Sequence, residues 1–174
     1  MILSIRDLQK DEGRYLPFSG AIALDSDADR ARGLLKVNLQ AAYVSTRVLV
    51  KGKWRVDLQG ECSRCLDKFN YYLEDSFREE FTHLPGPAPE AEGLAGGLEL
   101  EKGERYAFRG ETLDLSEYFR QLFFMSQPLK ILCREDCQGL CPLCGVNRNR
   151  EQCNCRQDEI DPRWAALEKM KKQL

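Results

Sequence analysis

Residues 34–60 read LLKVNLQAAYVSTRVLVKGKWRVDLQG, and this stretch determines the predicted fold. Its first part, residues 34–50, is rich in β-branched side chains and partly alternates between apolar and polar positions. Trp54, Val56 and Leu58 alternate again after the tripeptide Lys-Gly-Lys. Because a period of two is typical of half-buried strands, we interpret the stretch as a β-hairpin whose turn is permitted by Gly52.

A further segment with strand-like alternation, residues 66–81, has the sequence LDKFNYYLEDSFREEF. Phe69, Tyr71 and Leu73 share one face if this segment is a strand. An amphipathic helix is the alternative interpretation. Together with the hairpin, the segment predicts an antiparallel β-meander.

A helix is predicted from residue 114 onward, where the apolar spacing changes. Asp114 and Glu117 have the spacing of a helix N-cap and its reciprocal glutamate. The apolar side chains that follow lie three or four residues apart, and the stripe they form should pack on the sheet: Leu115, Tyr118, Phe119, Leu122 and Phe123. Pro128 ends this helix, because proline cannot continue it.

A second helix is predicted near residue 160. Asp161 is its N-cap and Pro162 its first-turn proline. Trp164, Leu167 and Met170 then share one face.

The segment at residues 83–104, HLPGPAPEAEGLAGGLELEKGE, divides the chain. It is rich in Pro, Gly and Glu and cannot bury enough apolar surface to offset its ordering entropy. We therefore predict a β-rich domain with a Cys-x-x-Cys turn (1–82), a flexible acidic loop (83–104), a strand and helix completing the core (105–132), and a cysteine-rich metal module with a C-terminal helix (133–174). The fold class is α+β: an antiparallel β-meander with a packed helix, plus a small C-terminal zinc module and terminal helix.

Composition excludes several classes of protein. The 26 Lys+Arg and 28 Asp+Glu give a net charge of −2, so the chain is not a globally basic nucleic-acid binder. No run approaches the about 18–20 apolar residues that a membrane helix needs. The first residues lack the pattern of a signal peptide, so we expect a cytoplasmic location, where cysteines stay reduced.

The eight cysteines fall into four close pairs: Cys62/Cys65, Cys133/Cys137, Cys141/Cys144 and Cys153/Cys155. Two residues between thiolates, followed by a glycine as in Cys141–Gly145, allow a tight turn to direct both sulfurs at one ion. Structural zinc takes four such ligands at about 2.3 Å. The spacing therefore predicts two structural zinc ions.

Other interpretations of the cysteines stay open. An iron–sulfur cluster uses the same ligands. A thiol–disulfide exchange site would place its Cys-x-x-Cys at a helix N-terminus, whereas Cys62 and Cys65 join two predicted strands. If the two cysteines of each close pair bind the same ion, the four pairs can be combined into two four-cysteine sites in three ways. Joining Cys141/Cys144 to Cys153/Cys155 closes the shorter loop, and the remaining two pairs form the second site by elimination.

The motifs in their order resemble the large ribosomal RNA subunit accumulation protein family of bacteria and plastids. In chain order they are CSRCL (62–66), EEF (79–81), LDLSEYFRQ (113–121), CREDCQGLCPLCGVNRN (133–149), CNC (153–155) and IDPRWAALEKM (160–170). The resemblance implies a non-enzymatic role in the accumulation or processing of 23S rRNA, and so in biogenesis of the large ribosomal subunit. The family usually has Asn-Leu-Asn where this chain has Asn147-Arg148-Asn149.

Bases beside the cysteines indicate how such a factor would contact RNA. They are Arg64, Lys130, Arg134, Arg148, Arg150 and Arg156. The alternative is that these bases only keep a small metal module soluble. A second function class is a protein-interaction adaptor whose acidic loop recruits a basic ribosomal protein.

An enzyme, including a thiol-redox protein, is the weakest interpretation, and no small-molecule substrate is expected. Complete sets of four thiolates leave no open metal position for water. The single histidine, His83, borders the predicted loop, and we expect it to be exposed rather than a general base.

Overall fold

The computed structural model describes residues 1–26, 31–87, 98–101 and 105–155. These residues form eight strands and two helices: β1 (Ile2–Ser4), α1 (Ile5–Lys10), β2 (Leu16–Ser26), β3 (Ala31–Val44), β4 (Arg47–Glu61), β5 (Lys68–Leu84), β6 (Glu99–Glu101), β7 (Arg105–Arg109), β8 (Thr112–Asp114) and α2 (Ser116–Met125). Neither of these helices is long and apolar enough to cross a membrane.

The chain forms two units, which we describe separately. The sheet unit comprises Met1–Gly60 and Lys68–Leu129, and the cysteine unit comprises Glu61–Asp67 and the chain from Lys130 onward. The expectation of a sheet-rich chain with few helices is confirmed. The predicted second helix at residues 161–170 lies outside the described residues.

The main sheet has the strand order β2-β3-β4-β5-β7-β6, and β1 pairs with β8 in a second, two-stranded sheet. β2, β3 and β4 pair antiparallel in chain order; the β3–β4 pair is the predicted hairpin, whereas β2 was not predicted as a strand. β7 departs from the prediction, because it runs parallel to β5. Parallel neighbours cannot be joined by a tight turn, and β5 and β7 are well separated along the chain, with β5 ending at Leu84 and β7 beginning at Arg105.

The hairpin turn lies earlier than predicted. Val44 pairs with Arg47, so Ser45 and Thr46 form the turn, and Ser45 takes a φ of 57°. The Lys-Gly-Lys tripeptide instead lies inside β4, where Gly52 pairs with Leu39. The prediction of a turn at Gly52 is therefore wrong; this glycine allows two strands to approach closely.

Helix α2 covers part of the sheet with aromatic side chains. Tyr118, Phe119 and Phe123 are buried. The ring of Phe119 lies 5.0 Å from that of Phe77 on β5, and the ring of Tyr118 lies 5.4 Å from that of Phe81. Edge-to-face pairs of this kind contribute about 0.5–1.5 kcal/mol each beyond their buried area. The stripe predicted from the sequence is therefore a core surface.

The start of α2 differs from the predicted capping box. The helix begins at Ser116, with Leu115 at the N-cap position, and Asp114 Oδ1 accepts hydrogen bonds from the Ser116 N–H and hydroxyl. Burial acts to raise the pKa of Asp114, but these hydrogen bonds and the Met1 ammonium outweigh burial and hold the pKa below its usual value. The predicted partner Glu117 instead lies 3.8 Å from Arg120.

Extended structure reaches into both ends of the predicted 83–104 loop. β5 continues to Leu84, and Glu99–Glu101 form β6; residues 88–97 and 102–104 lie outside the described residues. His83 is half-buried, so the expectation that it is exposed is wrong. Its Nε2 lies 2.9 Å from the Gly110 carbonyl and its Nδ1 lies 3.1 Å from the Tyr43 hydroxyl. A carbonyl only accepts, so Nε2 carries a hydrogen and donates it to the Gly110 carbonyl.

Candidate metal centres

The cysteines gather into two groups of four. The first tetrad is Cys62, Cys65, Cys133 and Cys137, and the second tetrad is Cys141, Cys144, Cys153 and Cys155. Within each tetrad the Sγ atoms all lie within 4.8 Å of one another. This is the grouping that the shorter loop closure favours.

The sulfur positions fit a tetrahedral ion. Cys62 Sγ lies 3.8 Å from Cys137 Sγ, and Cys65 Sγ lies 3.7 Å from Cys133 Sγ. Four sulfurs at about 2.3 Å from a central ion would be about 3.8 Å apart. A disulfide would bring two sulfurs to about 2.05 Å. All eight cysteines are free, so both tetrads could hold a metal ion.

Backbone hydrogen bonds hold the first tetrad together across distant segments. Glu61–Asp67 connects β4 to β5, and the Ser63 N–H donates to the Ile131 carbonyl at 2.8 Å. The Leu140 N–H donates to the Arg64 carbonyl at 3.0 Å. The Cys62/Cys65 turn is thereby paired with the chain that carries Cys133 and Cys137.

A tight turn shapes the second tetrad. The Gly145 N–H donates to the Cys141 carbonyl at 2.9 Å, and the Cys141 N–H donates to the Val146 carbonyl at 2.8 Å. Gly145 has a φ of 74°, a conformation that glycine adopts without strain. The Cys-Pro-Leu-Cys-Gly sequence therefore forms the turn that its spacing predicts.

Negative charge is distributed unevenly among the thiols. Burial acts to raise the pKa of Cys62, but surrounding backbone N–H groups outweigh it and lower the pKa to about 6. The Asp67 N–H acts to lower the pKa of Cys65, yet burial and the adjacent thiols raise it to about 12. The N–H groups of its own turn lower the pKa of Cys141 to about 6, while neighbouring thiols raise that of Cys155 to about 12. A bound cation would let all four thiols of a tetrad ionise.

The two tetrads differ in accessibility. Three cysteines of the first tetrad are buried and Cys133 is half-buried. In the second tetrad only Cys141 is buried, whereas Cys144 and Cys155 are exposed. An ion in the second tetrad would therefore be the more accessible to a chelator.

Two asparagines that the sequence did not assign to a role surround the first tetrad. Asn149 Nδ2 donates to Cys137 Sγ at 3.3 Å and to Asn147 Oδ1 at 2.8 Å. Asn147 Nδ2 donates to Asp67 Oδ2 at 3.0 Å, and Asp67 lies 3.5 Å from Cys65 Sγ. The segment between Cys144 and Cys153 thus contacts the ligands of the other tetrad. The only sequence signal was the Asn-x-Asn spacing inside a cysteine-bounded loop.

Asn149→Ala should weaken metal binding at the first tetrad. The substitution removes the hydrogen bond to Cys137 Sγ and the acceptor of the Gln138 N–H. Loss of such an outer partner lowers metal affinity by roughly 10- to 100-fold. Asn154→Ala is the matched control, because Asn154 is exposed between two cysteines of the second tetrad. Competition titration with a chromophoric chelator measures the affinities, and equal values for the two variants would contradict a role for Asn149.

Three of the bases predicted to bind RNA have partners within the cysteine unit. Arg64 donates to the Cys137 carbonyl at 2.8 Å. Arg134 contacts Asn149 Oδ1 at 2.7 Å, and Arg150 forms an ion pair with Asp67 at 2.8 Å. These arginines stabilise the fold of the unit, although the Arg150 side chain stays 67% exposed.

The other three predicted bases differ from these. Lys130 and Arg148 are exposed, and the described residues provide neither side chain with an acidic partner. Arg156 lies outside the described residues. Lys130 and Arg148 are therefore the bases most available to a ligand in the described part of this unit.

Comparisons with known proteins identify one protein family. The family model described as large ribosomal RNA subunit accumulation protein YceD matches residues 50–171. An uncharacterized protein of Mycobacterium tuberculosis is 34% identical over 86% of this chain and 65% of its own length. The large ribosomal RNA subunit accumulation protein YCED homolog 1, chloroplastic, of Arabidopsis thaliana is 24% identical over 80% of this chain and 49% of its own length. The chain thus spans less than two thirds of these relatives. No solved structure matches it.

Proposed function

Because this chain belongs to the YceD family of large ribosomal RNA subunit accumulation proteins, we propose that it is a non-enzymatic factor that supports 23S rRNA accumulation by binding RNA. Its partners are 23S rRNA or a large-subunit precursor, and it acts in the cytoplasm. The observation that carries the proposal is the family match over residues 50–171, which includes both tetrads.

The metal in this proposal is zinc with a structural role. Each tetrad offers four thiolates and no other ligand type, the donor set of closed zinc sites. When bound, the ion would supply folding energy to a unit whose described residues bury no large apolar side chain besides the cysteines. The chain's own residues then present side chains on short, metal-held turns.

The RNA contact in this proposal uses exposed bases of the cysteine unit. Zinc knuckles are among the known RNA-binding modules. Arg148 lies between Cys144 and Cys153, so an ordered turn presents its guanidinium at little entropic cost. A guanidinium forms forked hydrogen bonds to phosphate and stacks on bases, which an ammonium does not. Lys130 adds a second exposed charge.

Crosslinking in cells tests the proposal. Ultraviolet crosslinking followed by purification of the protein should recover 23S rRNA or its precursors in excess of 16S rRNA. Cells lacking the protein should have a lower ratio of 23S to 16S rRNA, because the large-subunit RNA is no longer protected or processed normally.

A double variant tests the two exposed bases in the same crosslinking experiment. Lys130→Gln with Arg148→Gln should reduce RNA crosslinking without altering metal content, since neither side chain is a ligand. Recovery of a ribosomal protein without any rRNA would contradict RNA binding and favour an adaptor role.

A further inference from the structure

A groove of about 910 Å³ crosses four strands of the sheet unit. Two rows of residues paired across the strands line it. One row is Pro17, Gln40 and Lys51, and the other is Ser19, Asn38 and Lys53. Arg78 reaches the groove from β5, the next strand of the sheet.

The groove is basic although the chain is slightly acidic. Its lining contains Lys51, Lys53 and Arg78 and no Asp or Glu. Lys51 Nζ lies 4.0 Å above the Tyr15 ring, a contact that leaves its charge unneutralised. The described residues provide Lys53 and Arg78 with no acidic partner within ion-pair distance. Three positive charges therefore face one open groove.

Three acids on neighbouring parts of the sheet are paired with other bases. Glu80 lies 2.6 Å from Arg47, and Glu74 lies 3.3 Å from Arg55. Asp57 contacts Arg55 at 3.2 Å. Asp75, which lines the adjoining depression, accepts the Ser76 N–H at 2.7 Å. The groove is thus a local concentration of unpaired positive charge, and Asp75 in the adjoining depression is the neighbouring acid for which the described residues provide no basic partner.

The shape and spacing of the groove suit an extended polyanion. Lys51 and Lys53 lie two residues apart on one strand face, about 7 Å along the strand. This distance is comparable with that between successive phosphates of an extended nucleic-acid strand. The amides of Asn38 and Gln40 supply hydrogen-bond donors beside the two lysines.

We propose that this groove binds the sugar-phosphate backbone of a single-stranded RNA segment. The inference rests on the proposed RNA-binding function and adds a contact surface on the sheet unit, separate in sequence from the bases of the cysteine unit. Backbone recognition by three cations and neutral amides is independent of base identity. The groove therefore contributes to the affinity for RNA, and any preference for particular bases comes from other parts of the protein.

Matched triple variants of the full, metal-loaded chain test this proposal. The groove variant carries Lys51→Gln, Lys53→Gln and Arg78→Gln. The control variant carries Lys36→Gln, Arg47→Gln and Arg55→Gln, which removes the same charge from the same sheet at side chains paired with acids. The probe is a labelled oligouridylate, and its affinity is measured by fluorescence anisotropy at several salt concentrations. Thermal midpoints confirm that both variants are folded.

The groove variant should bind at least tenfold more weakly than the control. Its slope of log affinity against log salt should be shallower than that of the parent by about 2, since each lost phosphate contact removes about 0.7. If the parent binds RNA but the groove and control variants have equal affinities and slopes, RNA binding by the groove is contradicted and the proposed function is not. A parent without salt-dependent RNA binding would overturn the proposed function as well. Equally tight binding of polyglutamate, lost in the groove variant, would assign the groove to an acidic protein instead.

Discussion

Replacing Cys62 with serine should remove one of two bound zinc ions and disorder the cysteine unit. Cys62 is fully buried and belongs to the tetrad that joins Glu61–Asp67 to the chain beyond Lys130. Structural zinc contributes about 10–16 kcal/mol of apparent binding free energy, which far exceeds what a few backbone hydrogen bonds supply. Elemental analysis and amide hydrogen exchange across the unit measure the two effects. Cys141→Ser should lose the other ion, and the disorder should be confined to a shorter segment, because the ligands of this ion lie within 15 residues of one another.

Ser63→Ala is the matched control for Cys62→Ser. Ser63 is exposed in the same turn, and its backbone N–H, which the substitution leaves in place, makes the hydrogen bond to Ile131. This variant should keep two zinc ions and parental hydrogen exchange. A parent with fewer than two equivalents of zinc, an iron–sulfur absorbance, or full zinc content in Cys62→Ser would contradict the prediction.

Gly52→Ala should destabilise the sheet unit by about 3 kcal/mol, at the upper end of overpacking effects. A Cβ at this position would lie 2.2 Å from the Asn38 carbonyl oxygen and 2.7 Å from Leu39 Cα. Both contacts are with backbone atoms of a paired strand, so no side-chain rotation relieves them. The free energy of unfolding from denaturant titration, followed by circular dichroism, measures the loss.

Gly20→Ala provides a control in the neighbouring strand β2. A Cβ there would meet Met1 Sδ at 3.4 Å, an ordinary van der Waals contact with a flexible side chain. An added methyl at a compatible glycine is neutral or stabilising by about 0.4–1 kcal/mol, because it restricts the unfolded chain. Similar unfolding free energies for the two variants would show that β3 and β4 can separate at Gly52 without loss.

The candidate metal-ligating groups could be recognised in the sequence because the geometry of each cysteine pair is local. Cys141 and Cys144 are separated by two residues and followed by Gly145, and they form the tight turn that this spacing favours. The grouping of pairs followed from the smaller entropy of closing a short loop. The helical stripe around Tyr118 and Phe119 was equally readable, since its period depends only on the helix itself.

The turn at Ser45 and the role of Gly52 could not be predicted in this way. A glycine between two lysines is a turn signal in isolation, whereas Ser-Thr is a weak one. What decides the outcome is that Leu39 of the paired strand passes within 3 Å of where a Cβ of Gly52 would be. The parallel pairing of β5 with β7 could not be predicted either, because the apolar period of a strand does not determine the direction of the strand beside it.

The electrostatic surfaces also depended on the tertiary structure. Arg150 and Asp67 are 83 residues apart in the chain, and Arg64 and the Cys137 carbonyl are 73 apart, so the sequence could not show that these arginines have partners. Lys51, Lys53 and Arg78 have acids within a few residues in sequence, including Asp57 and Glu80. Only the folded chain shows that Glu80 pairs with Arg47 of another strand, whereas Asp57 pairs with Arg55 on its own strand.

The sequence by itself indicated the sheet-rich class and the candidate metal-ligating cysteines and favoured their division into two tetrads, because each depends on period or short-range spacing. The tertiary structure alone decided where β4 begins, which side chains surround the first tetrad, and which bases stay free of acidic partners. The physical reason is the distance along the chain over which each effect operates. Hydrophobic periodicity and turn geometry depend on residues that are only a few positions apart. Ion pairing and close backbone approach depend on groups that only the folded chain brings within about 4 Å.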